Sequence, residues 1–97
     1  MFNPEGLDPW LTRSVDQVWS DVVNLQSIGA AIQNMLLAAV ELGVGSLWIC
    51  DVFYAYRELT AWLGETHQMI AAVSFGYPDE APGPRPRKPV SEVTTWV

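Results

Sequence analysis

An unbroken apolar run from Ser27 to Ile49, SIGAAIQNMLLAAVELGVGSLWI, most constrains what this chain can become. An Ala-rich helix pattern meets Gly43-Val44-Gly45 and passes directly into a strand-like segment. The helix pattern is apolar around most of its circumference and the strand has no clean polar face, so the unit demands burial on nearly every side. A chain of 97 residues can hardly supply that cover alone. Small domains bury a smaller fraction of their surface than large ones, and 49% hydrophobic residues with five Trp leave apolar surface that calls for a second chain or a further segment.

Charge and cysteine content narrow the function. The formal net charge of −6 argues against nucleic-acid binding, which needs a basic surface to neutralise phosphates. The single cysteine, Cys50, has no intrachain disulfide partner and fits a reducing, cytoplasmic setting. Met1 to Gly6 has neither the basic start nor the apolar core of a secretory signal. Ile28 to Cys50 approaches the length of a membrane span, but Gln33, Asn34 and Glu41 interrupt it and Gly43 and Gly45 break its end, so no membrane is expected.

Along the chain, Pro4, Gly6 and Pro9 make Met1 to Leu11 an irregular lead-in. Ser14-Val15-Asp16-Gln17 has the spacing of a capping box, which predicts a short helix or helical turn there. The main helix is expected from about Val22 or Leu25 to Leu42, with Gly43 as its stop. Gln26, Gln33 and Glu41 form one stripe too narrow for a solvent-facing helix, and Gly29, Ala30, Ala31, Ala38 and Ala39 allow another helix to approach closely. The pattern fits an interface helix or an ordinary core helix equally.

Ser46 to Ile49 reads as a strand, Tyr54 to Leu63 as a helix closed by Gly64 with Tyr56, Leu59 and Leu63 inward, and His67 to Phe75 as a second, buried strand. Gly76-Tyr77-Pro78-Asp79 turns the chain out. Residues 78–97 form a tail: five of the seven prolines lie between Pro78 and Pro89 and enforce an extended backbone, and Val90 to Val97 adds a short strand or an arm over a neighbour.

Few residues carry chemistry. Arg85, Arg87 and Lys88 are three of the five basic residues, crowded into four positions of an acidic chain. In an extended segment Arg85 and Arg87 project to one side about 6 to 7 Å apart, on a backbone stiffened by Pro84, Pro86 and Pro89. Two guanidiniums so placed suit one phosphate. The plainer alternative is a solvated basic tail, or ion pairs with Asp79, Glu80 and Glu92. Cys50 lacks a nearby histidine and has Asp51 beside it, which disfavours a thiolate nucleophile. His67 opens a strand, where an exposed or hydrogen-bonded structural residue is expected. The metal-ligand spacings, phosphate-cradling glycine loops and hydrolase motifs are missing from the sequence. Chemistry in such a chain falls to a cofactor.

Two stretches, AIQNMLLAAVELGVGSLWI (Ala31 to Ile49) and FGYPDEAPGPRPRKPVSEV (Phe75 to Val93), make the chain resemble the C-terminal half of the FMN-dependent nitroreductase family. The resemblance covers essentially the whole chain as one partial domain, 1–97. It implies an α+β fold, an intimate homodimer with FMN at the subunit interface, and ping-pong transfer of electrons from NADH or NADPH to a nitroaromatic, quinone, flavin or similar small-molecule acceptor. By position, Arg85 and Arg87 correspond to basic residues that hold the FMN phosphate, with Lys88 as a neighbour. Trp48, Ile49, Cys50 and Asp51 correspond to the segment along the isoalloxazine ring, where backbone N–H groups face the flavin N5 and O4.

The departures from the family pattern matter as well. Relatives carry Gly or Glu-Gly where this chain has Cys50-Asp51, and an anionic Asp51 near the ring disfavours the reduced flavin anion. The family's N-terminal Arg-Arg-Ser type motif is absent from this sequence, and Met1-Phe2-Asn3-Pro4 resembles the end of a strand leading into the second half. The expectation is a truncated or split member, or a fragment left by proteolysis, that pairs with itself or with a complementing N-terminal half. Two readings from other classes stand beside it. One is a non-catalytic module that dimerises through Leu25 to Leu42 without flavin, and the other is an anion-binding module built on Arg85 and Arg87.

Overall fold

The computed structural model describes residues 1–97 except 5 and 7. Its spine is a single helix, α1 (Val15–Glu41), of 27 residues. The capping box and the main helix expected as separate elements are one: no Gly or Pro interrupts the chain between Val15 and Ile28, so the turn that starts at Ser14 propagates. The Ser14 hydroxyl accepts the Gln17 N–H at 3.3 Å, while Gln17 answers by accepting the Ser14 N–H at 2.8 Å. At the other end Gly43 turns left-handed at φ 69°. There Val44 N–H donates to the Ala39 carbonyl at 2.8 Å and Gly43 N–H to Val40 at 3.1 Å, the paired bonds of a Schellman stop.

That turn delivers the chain into β2 (Gly45–Ile49), which pairs antiparallel with β4 (Ala72–Gly76) in the register Trp48 to Val73 and Ile49 to Ala72. A second two-stranded sheet joins β1 (Phe2–Asn3) to β3 (Gln68–Met69). The strand predicted from His67 to Phe75 is therefore two strands in two sheets. The chain changes partner at Ile70-Ala71, because β1 is only two residues long and the run beyond it meets β2 instead. Between the sheets, a 3-10 turn at Asp51–Ala55 leads into α2 (Tyr56–Leu63), closed by Gly64 at φ 64°. Tyr56 and Leu59 are half-buried as expected, but Leu63 is 51% exposed, because at the last turn of α2 it finds no neighbouring element to pack on.

Residues 77–89 have no regular structure, as five prolines dictate, and the end of the tail is one helical turn, α3 (Val90–Val93), rather than a strand. Pro89 accounts for this difference: with φ −62° and ψ 149° it ends the extended segment and caps a turn, its carbonyl accepting the Glu92 N–H at 3.0 Å.

The interior is small. Ile32, Ala39, Val52, Met69 and Ala71 are the buried hydrophobic residues, joined by Asn3, whose amide donates to Gln68 Oε1 at 3.1 Å. Only Ile32 and Ala39, seven residues apart on one face of α1, are buried along the whole helix. Trp19, Val23, Leu37 and Val40 face outward at 59 to 72% exposure. The radius of gyration is 16.7 Å, against about 13 Å for a compact chain of this length. Accessible surface is 8034 Å², against about 5,500 Å² for a folded monomer of this size. The excess is as large as a substantial protein interface. α1 is long and apolar enough to cross a membrane by length and composition, a test that the core helix of a soluble protein passes as well, and 11% of its most apolar 18-residue stretch is buried here.

Candidate functional site

Two stretches were expected to carry function, and each has a distinct structural setting. Trp48 and Ile49 are half-buried at the end of β2, while Cys50 and Asp51 are exposed where the strand gives way to the 3-10 turn. Val52, 6% exposed, anchors that turn in the core. The Trp48 ring lies against α1: its Cη2 is 3.6 Å from where a Cβ would stand at Gly29. The indole Nε1 is buried with no hydrogen-bond acceptor among the described residues. The ring is therefore held by packing alone. Ile49-Cys50-Asp51 thus runs out of a paired strand onto an open surface, with both ends of the segment fixed.

Arg85, Arg87 and Lys88 are exposed on the tail. Arg87 donates to the Pro86 carbonyl at 3.5 Å, and the ion pairs considered with Asp79, Glu80 and Glu92 are not formed. The ion pairs among the described residues are Arg13 with Asp21 at 2.8 Å and His67 with Glu65. Three cations in a chain of net charge −6 thus have no carboxylate partner among the described residues. Among the described residues no hydrogen bond or ion pair joins them to Trp48–Asp51.

At its open end the β2–β4 strand pair borders a recess of about 320 Å³ beside Tyr77 and Pro78, where the tail departs. On the α1 side an apolar cleft of about 340 Å³ lies between Met35, Ala38, Ala39, Leu42, Val44 and Phe75. Both sit on the elements that position Trp48–Asp51.

An aromatic cluster lies outside what the sequence pattern predicts. Trp10 stacks on Phe53 at 6.2 Å between centroids and meets the edge of Tyr56 at 5.3 Å, with the Arg57 guanidinium 4.8 Å above its ring. Trp10 comes from the irregular lead-in, where no periodicity announces a partner. His67, expected to be structural, pairs through Nδ1 with Glu65. The Glu65 carboxylate also accepts the N–H groups of Thr66 and His67 at 2.9 and 3.1 Å. The backbone N–H of His67 foremost, then that of Thr66, holds this carboxyl below its ordinary range.

Comparison with known proteins agrees with the architecture. The family model described as Nitroreductase family matches residues 15–77, from the start of α1 to just beyond β4. A protein of Archaeoglobus fulgidus named as an NADH dehydrogenase/NAD(P)H nitroreductase is 35% identical over 78 residues. That alignment covers 75% of this chain and 41% of the relative, so the chain spans less than half of the protein it resembles.

Proposed function

The chain belongs to the nitroreductase family, and on that premise we propose that it forms part of an FMN-dependent oxidoreductase that takes electrons from NADH or NADPH. The observation that carries this reading is the set of three cations, Arg85, Arg87 and Lys88, without carboxylate partners among the described residues, on a proline-stiffened tail. Such a donor set fits a phosphate, because guanidinium groups recognise phosphate oxygens by paired charge-assisted hydrogen bonds. Bound FMN would supply the redox chemistry, accepting electrons from the nicotinamide and passing them to a nitroaromatic, quinone or similar small molecule.

The chain's own residues have narrower duties. Arg85 and Arg87, with Lys88 alongside, neutralise the phosphate. The exposed backbone from Ile49 to Asp51 offers N–H groups toward the ring, where they favour negative charge. The Asp51 carboxylate acts against them and lowers the tendency of the ring to hold an added electron pair. The uncovered side of α1, with Trp19, Val23, Leu37 and Val40, is the surface by which a second copy or a complementing N-terminal half completes the fold. The setting is cytoplasmic and reducing, without membrane or nucleic acid.

The test is reconstitution. The purified protein is mixed with FMN, freed of excess, and its visible spectrum and oligomeric mass recorded. Near-equimolar flavin in an oligomer, reduced by NADH or NADPH, is the expected result. A colourless protein that assembles but takes up no flavin would favour the purely structural module.

A further inference from the structure

Gly29 occupies an unusual place. It lies in the interior of α1, where glycine costs about 1 kcal/mol relative to alanine, and it terminates nothing. It is half-buried, and the one side chain within 4 Å of its missing Cβ is Trp48, at 3.6 Å. A methyl group at position 29 would therefore stand in ordinary contact with the indole. The Trp48 Nε1 is buried without an acceptor among the described residues, so no hydrogen bond from them orients the ring. The surface of α1 at Gly29 decides where it rests. The same backbone that carries Trp48 continues through Ile49 into Cys50 and Asp51, and cross-strand pairing with Val73 and Ala72 keeps it from adjusting independently.

We infer that Gly29 and Trp48 are a positioning pair, in which the helix surface sets the depth of the indole and the indole sets the height of the Ile49–Asp51 backbone. The inference rests on the flavin reading above and adds to it a determinant that touches no part of the cofactor. A side chain larger than alanine at position 29 drives the ring outward and carries the flavin-facing N–H groups with it. A smaller side chain at position 48 reopens the space.

The experiment uses the full chain with FMN as the probe. Three variants are compared with the parent: Gly29→Ala, Gly29→Leu, and Gly29→Leu combined with Trp48→Leu. FMN affinity, the visible absorption band of bound flavin and amide hydrogen exchange at residues 49–51 are read on each. Gly29→Ala is expected to match the parent. Gly29→Leu is expected to weaken FMN binding about tenfold, shift the flavin band and speed exchange at 49–51, leaving Gln68 and Met69 protected. The double variant is expected to recover affinity and band position, which general loss of stability would not produce. Parent-like flavin binding in Gly29→Leu, or no recovery in the double variant, overturns the positioning role and leaves the flavin reading intact. A parent that takes up no FMN overturns both.

Discussion

The phenolic oxygen of Tyr56 accepts the backbone N–H of Met69 at 3.1 Å, tying the first turn of α2 to β3 across thirteen residues. Met69 is 7% exposed, so its N–H has no ready substitute in water. Tyr56→Phe keeps the ring against Trp10 and removes only the acceptor. The variant is expected to lose about 1 to 2 kcal/mol of stability, read as a lower urea midpoint at unchanged slope.

The two ends of α1 are independently testable. Ser14→Ala removes the capping oxygen and is expected to cost about 1 kcal/mol. Gly43→Ala forces a side chain into the left-handed region at φ 69° and is expected to cost about 1 to 2 kcal/mol. The sites lie at opposite ends of a 27-residue helix, so the double variant should show the sum of the two losses in thermal or urea unfolding.

Replacing Arg85 or Arg87 with Ala should weaken FMN retention about tenfold each, the scale of a lost charge-assisted hydrogen bond at an exposed site. Far-ultraviolet circular dichroism should not change, because neither side chain holds any other element in place. Lysine at both positions should recover part of the affinity, since it keeps the charge but loses the paired geometry. Equilibrium dialysis with FMN at two salt concentrations reads both effects.

The Glu65 carboxyl gives an acid-side prediction. Its folded-state pKa lies below the unfolded value, through the His67 backbone N–H first and the Thr66 N–H next. Its stabilising contribution is therefore complete above the unfolded pKa and is lost as pH falls through the folded value. Glu65→Gln should flatten the decline in stability below about pH 4 and leave neutral pH nearly unchanged. The effect is small because the group is exposed, and urea midpoints across the acid range measure it.

Local punctuation was the most readable part of this chain. Gly43, Gly64 and the capping box at Ser14 each mark an element boundary, because each depends on backbone geometry that a single residue type dictates. Partner choice was not readable. The run from His67 to Phe75 has one apolar pattern but serves two sheets, and nothing in its composition says that β1 is only two residues long. The Ser14 capping box reads as a turn separate from the main helix, yet no Gly or Pro between Val15 and Ile28 stops a helix already begun. At the candidate site, the crowding of Arg85 and Arg87 is visible in the sequence from residue type and spacing. The contact between Gly29 and Trp48 is not, since it joins positions nineteen apart through packing, which leaves only a misplaced glycine as its trace.

If a second surface covers the outward row of Trp19, Val23, Leu37 and Val40 along α1, as proposed, folding is tied to mass action. Whatever surface lies along that row contributes its association free energy to the native state and nothing to the unfolded one. The melting temperature of the protein should therefore climb with its own concentration if the covering surface is another copy. With a separate polypeptide it should climb only when that polypeptide is added.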